Sequence, residues 1–198
     1  MYKFVILYNT YMKKKISVFG GTRCVKEKEP YYFNLAYQTG KLLAEAGYTV
    51  LTGGGPGLMN ETLRGAFENG GETIGVMLEL EGITHSPYFT EKYIFDKLVP
   101  RQDKLIQLAD GYITLPGGMG TLFETVEILT LKNVKEIPVE KPLILVDDYY
   151  KDLDTLFSKI IKEGFIREDL HTNFQLVSCP EDAITILNNA LKTTISTQ

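Results

Sequence analysis

Residues 111–124 read GYITLPGGMGTLFE: a short β-rich run, a proline, three clustered glycines and the start of an apolar helical pattern. Strand, glycine turn, then helix is the order of one unit of a parallel sheet. The same order recurs twice upstream. Ile16 to Phe19 runs into Gly20-Gly21, and Thr49 to Thr52 runs into Gly53-Gly54-Gly55-Pro56-Gly57. Helices are expected over Tyr31–Ala46, closed by Gly47, and over Leu58–Asn69, stopped by Gly70-Gly71. Further strands are expected at Thr73–Met77, Leu143–Val146 and Phe174–Val177. A short strand at Tyr93–Phe95 interrupts an irregular stretch from 78 to 100. The remaining helices fall at Arg101–Ala109, from the third glycine turn to about Asn133, at Leu153–Glu163 and at Glu181–Leu191.

Strands alternating with helices at this spacing predict an α/β fold of Rossmann-like type: a doubly wound parallel sheet with helices on both faces. Right-handed crossovers then bring the carboxyl ends of the strands to one edge, where such sheets bind ligands. The chain has 198 residues, 44% hydrophobic and 23% charged, enough for one domain with a substantial core. The domain is expected over 13–191, after an extension at 1–12 and before a tail at 192–198. The net charge of −4 provides no global basic field for nucleic acid or an anionic membrane. No apolar run approaches the roughly 20 residues of a membrane span. Two cysteines, Cys24 and Cys179, read as reduced thiols of a cytoplasmic protein. With only His85 and His171, a zinc site or a Ser-His-Asp triad has almost no residues to draw on.

Glycine turns followed by helix starts suit phosphate. Backbone N–H groups approach the ligand closely, and the helix end adds roughly half a positive charge. Such a site lets an acidic protein hold an anion. GGGPGLMN lacks the third glycine of the dinucleotide fingerprint, and no loop carries the lysine of a triphosphate P-loop. A single nucleotide held between glycine loops remains. Thr121-x-x-Glu124 has two local readings. It fits a capping box, in which Glu124 folds back on the helix start. It equally fits a cleft carboxylate, which a first-turn position would hold ionised through the helix dipole. Leu122, Val126 and Leu129 share one helical face and read as core.

Residues 116–124 also resemble the PGGxGTxxE motif of the Lonely Guy (LOG) family of nucleoside 5′-monophosphate phosphoribohydrolases, and Gly53 to Met59 resemble its second glycine loop. The resemblance spans roughly Lys15 to Asp169. It implies a homodimer that cleaves the N-glycosidic bond of a nucleoside monophosphate, AMP or a cytokinin ribotide, without a cofactor or metal. It implies Arg101 and Glu124 as the catalytic pair. It further implies substrate contacts at Thr22, Gly54, Gly55, Gly57, Gln102, Gly117, Gly118, Met119, Gly120, Thr121 and Thr130, with Glu81 from the preceding loop. Relatives usually carry Arg-Lys where this chain has Arg101-Gln102, and Lys104, one helical turn from Arg101, is the candidate to compensate. The family also carries a lysine decarboxylase label, for which the sequence offers no pyridoxal phosphate site. The alternative reading is a non-catalytic carrier of a nucleotide or of molybdenum cofactor. Neither reading names the proton donor to the departing base.

Overall fold

Apolar residues alternate along the strands with period two, and each strand therefore feeds two cores. Ile16, Val18, Val50, Ile113, Ile144 and Val146 point to one face, Phe19, Leu51, Tyr112, Leu143 and Leu145 to the other. A strand buried on both faces needs cover from two helical layers. The computed structural model, which describes residues 13–79, 81–82, 84–166 and 168–192, has that form. The strands are β1 (Lys15–Phe19), β2 (Thr49–Thr52), β3 (Thr73–Leu78), β4 (Glu91–Phe95), β5 (Gly111–Thr114), β6 (Leu143–Val146) and β7 (Gln175–Val177). All are parallel, in the order β4-β3-β2-β1-β5-β6-β7. Helices α1 (Glu29–Glu45), α2 (Leu58–Glu68) and α6 (Pro180–Lys192) pack on the first face. Helices α3 (Leu98–Leu108), α4 (Met119–Asn133) and α5 (Lys151–Lys162) pack on the second.

The expected elements are present, with shifted edges. The strand anticipated at Tyr93 extends from Glu91 and lies on the sheet edge beside β3. Helix α3 begins at Leu98, three residues earlier than expected, because Pro100 falls in its first turn, where a missing N–H costs nothing. The anticipated extension, residues 1–12, and the tail beyond 192 lie outside the described residues. Among the described residues, no helix is long and apolar enough to cross a membrane.

One core feature is charged. Lys132, near the end of α4, is 2% exposed and donates from Nζ to the Asn173 carbonyl at 2.7 Å. Burial pushes its ammonium down to about 8. The unfolded chain, near ~10.4, then binds this proton more tightly than the folded one, so stability rises with pH between those values. The stability of wild type relative to Lys132→Met should therefore increase by on the order of 2 kcal/mol from about pH 7 to pH 10. Parallel thermal melts across that range check this, and a constant difference contradicts it.

Candidate active site

Strand order runs outward from β1 through β2 to β4, then restarts at β5. The boundary between β1 and β5 is therefore the switch point, where the connections leave in opposite directions and open a crevice. Two of the three glycine turns leave the sheet on either side of it. Gly21 N–H donates to the Pro116 carbonyl at 3.0 Å and links the β1 and β5 turns. The Gly21 carbonyl accepts from Leu58 N–H at 2.9 Å, which brings in the third loop. Buried hydroxyls fix α4 above this edge. Thr114 and Thr125 meet at 3.2 Å, and Thr125 Oγ1 donates to the Thr121 carbonyl at 2.8 Å.

The cleft over these turns has a volume of about 540 Å³, within the range of small-ligand sites. Its charged groups are Arg23, Arg101 and Glu124, and its polar walls include Thr22, Thr121 and His85. Gly55, Gly118, Met119 and Gly120 line it as well. At the centre, Arg101 Nη1 donates to Glu124 Oε1 at 2.9 Å. Both side chains are nearly buried. Arg101 Nε donates to the Val76 carbonyl at 2.9 Å, and Nη1 also donates to Gln102 Oε1 at 3.1 Å. The guanidinium is thus pinned to the end of β3, to its own helix and to α4.

The capping-box reading of Thr121 and Glu124 is not what forms. Helix α4 is capped by Gly118 and starts at Met119, with no side-chain cap bond. Glu124 is therefore in the second turn, beyond reach of the helix start, and turns instead to Arg101. This position also weakens the expected dipole effect, which fades after the first turn. Burial pushes the Glu124 carboxyl above its ordinary range, while Arg101 pulls it back. Protonating it would leave a buried guanidinium without a counter-ion. We therefore assign the charged pair at neutral pH, with a carboxylate more basic than a solvated one.

Several expected contacts lie outside the cleft wall. Gly54 turns away, its N–H on Thr52 Oγ1 at 3.0 Å and its carbonyl accepting from Ser86 N–H at 2.8 Å. Gly57 caps α2 with its backbone against Thr22. Gly117 packs against Thr121, and its carbonyl accepts from the Tyr149 hydroxyl at 2.8 Å. Gln102 is fully buried behind Arg101 and acts on the cleft only through it. Glu81 is exposed on the loop after β3. Thr130 is exposed on α4 with its hydroxyl on the Val126 carbonyl at 2.7 Å, because it is on the face of the helix turned from the sheet. Val126 shares that exposed face, contrary to the core expected of it; Leu129 is in the core as expected, with Ile128 beside it. Lys104 does not stand in for the missing lysine, since its ammonium lies over the Tyr93 ring at 4.6 Å. Arg23, Met59, Leu78, His85 and Leu98 line the cleft without having been singled out. Arg23, just after Gly-Gly-Thr, is the one whose position in the sequence could have marked it.

Among the described residues, no lysine lines the cleft to offer the Schiff-base amine that pyridoxal phosphate requires. Among the described residues, no group of three His, Cys, Asp or Glu side chains is placed to hold a metal.

Fold and cleft together define a Rossmann-like α/β protein with a cleft at the switch point of the sheet. Residues 59–187 match the family model described as "Possible lysine decarboxylase". The chain is 34% identical over 157 residues to a cytokinin riboside 5′-monophosphate phosphoribohydrolase of Arabidopsis thaliana, covering 77% of this chain and 71% of that one. It is 30% identical over 161 residues to the protein of that name from Rhodococcoides fascians, covering 77% and 78%. The chain belongs to the LOG family. Among solved structures, it is similar to the molybdenum cofactor binding protein of Rippkaea orientalis, with a TM-score of 0.70 and 24% identity over 91% of this chain and 98% of that one. The molybdenum cofactor carrier protein of Chlamydomonas reinhardtii gives 0.68 and 22%, over 91% and 99%. At these identities the likeness is one of fold.

Proposed function

We propose that this protein hydrolyses the N-glycosidic bond of a nucleoside 5′-monophosphate, AMP or a cytokinin ribotide, to free base and ribose 5-phosphate. The observation that carries this reading is the Arg101–Glu124 pair, which presents a buried carboxylate to a cleft beside the N-terminus of α4. The phosphate sits at Gly118 to Thr121, where free N–H groups and the helix dipole favour an anion. The sugar then lies under Glu124. Breaking the C1′–N bond leaves the bond's electron pair on the base and builds positive charge on the ribose. Glu124 stabilises that charge and takes a proton from water as its oxygen bonds to C1′. Glu124 then gives that proton up to solvent and the departing base takes one from solvent, so the net change is the consumption of one water. Arg101 holds Glu124 in place and contacts the sugar.

Incubation with AMP should release free adenine, detected chromatographically. Ligand-induced stabilisation with no adenine released would instead favour a carrier.

The homodimer also belongs to this proposal. Met119, Phe123 and Val126 on α4, with Val134 just past its end, form an exposed apolar stripe continuous with the cleft through Met119, which is 81% exposed. A second copy of the chain covers it, and Thr130 faces that copy. Phe123→Asp should shift the sizing profile from two chains to one while the far-ultraviolet circular dichroism stays unchanged. An unchanged profile would place the contact elsewhere.

A further inference from the structure

The base end of the cleft follows from the order of the strands. If the phosphate lies at the turn after β5 and the ribose at the Arg101–Glu124 pair, the ligand extends over β1 and β2 toward β3. Three strand spacings, roughly 14 Å, separate β5 from β3. Arg101 itself is tied to β3 through the Val76 carbonyl. Beyond it the wall is formed by Met59, Leu78 and Leu98, apolar surfaces for a flat ring, and by one polar side chain, His85.

His85 is held in place. Its neighbour Ser86 is buried and donates from its N–H to the Gly54 carbonyl at 2.8 Å, and Ser86 Oγ accepts from Tyr88 N–H at 3.2 Å. These bonds clamp the loop after β3 onto the second glycine loop. His85 lines the cleft, yet its Nδ1 is buried and has no hydrogen-bond partner among the described residues. A buried N–H with no acceptor is rarer and costlier than a bare lone pair. The ring proton therefore belongs on Nε2, which leaves a donor for the ligand. Among the described residues, no hydrogen bond or ion pair links this ring to Arg23, Arg101 or Glu124, the charged groups of the cleft.

We propose that His85 binds the nucleobase, donating a hydrogen bond from Nε2–H to a ring-nitrogen acceptor of the leaving base. This rests on the phosphoribohydrolase reading. The histidine keeps its proton throughout. Its bond strengthens as the departing base gathers the electron pair of the broken C1′–N bond, so the contact favours the transition state over the bound substrate. It also makes His85 a determinant of which bases are accepted.

The test compares wild type, His85→Ala and His85→Gln, the last retaining an N–H donor. His85→Ala should lower kcat/KM for AMP by on the order of 10- to 100-fold. Inhibition by ribose 5-phosphate, which has no base, should not change. His85→Gln should recover part of the loss. Equal adenine release by wild type and His85→Ala overturns the proposal alone. So does a parallel loss of ribose 5-phosphate inhibition, which would mark a structural role. If wild type itself releases no adenine, the parent reading fails and takes this one with it.

Discussion

Glu124→Gln is expected to reduce the turnover of AMP by on the order of 10²-fold or more, the low end for removing a base or a charge that stabilises the transition state. The amide keeps the volume of the carboxyl and one acceptor for Arg101 Nη1, so the helix packing around α4 is retained. What it removes is the negative charge beside the ribose. Substrate binding should fall much less than turnover, because the proposed phosphate contacts, at Gly118 to Thr121, do not involve the Glu124 side chain. The pH profile gives a second check. Burial raises the Glu124 carboxyl above its ordinary range. The active form is the carboxylate, so wild-type activity is lost as pH falls through that raised value, above the usual ~4.3 of a glutamate. The residual activity of Glu124→Gln should lack this acid limb. Undiminished turnover would remove Glu124 from the chemistry altogether.

Why the pair was only half legible in the sequence is a matter of distance and register. Glycine turns at strand ends are local signals, and they located the crevice edge because turn chemistry is set within a few residues. The contact between Arg101 and Glu124 spans 23 positions and depends on how α3 and α4 lie across the second face of the sheet. Nothing near Glu124 distinguishes a capping box from a cleft carboxylate. The difference is made by the helix starting at Met119, which moves Glu124 into the second turn. The same limit explains Val126. Helix α4 is apolar on more than one face, so periodicity alone does not say which face meets the sheet: Leu129 is in the core as expected, but Ile128 is buried there while Val126 is not. Gln102 carried a sequence signal as a departure from the family pattern. Its role as an acceptor behind Arg101 needed the fold. His85 had no signal at all: it is on an irregular loop whose position is set by the Ser86–Gly54 bond.

Gly53→Ala is expected to be nearly as damaging as loss of Arg101, although the glycine touches no reacting atom. A Cβ at position 53 would lie 1.7 Å from Arg101 Nη2 and 2.9 Å from Met59 Sδ. Neither atom is backbone, so the sheet survives and the side chains must move. Arg101 has little freedom to do so, being bonded to the Val76 carbonyl, Gln102 and Glu124. Displacing it breaks these bonds together and leaves Glu124 buried without its cation, the more expensive half of a broken pair. Activity should fall on the order of 10²-fold, with the fold retained by circular dichroism. The decisive comparison is a double-mutant cycle. In an Arg101→Ala background the methyl group has room, and Gly53→Ala should then add almost nothing. Additive losses would show that Gly53 serves the loop itself, and the role assigned here, keeping space for the guanidinium, would have to be given up.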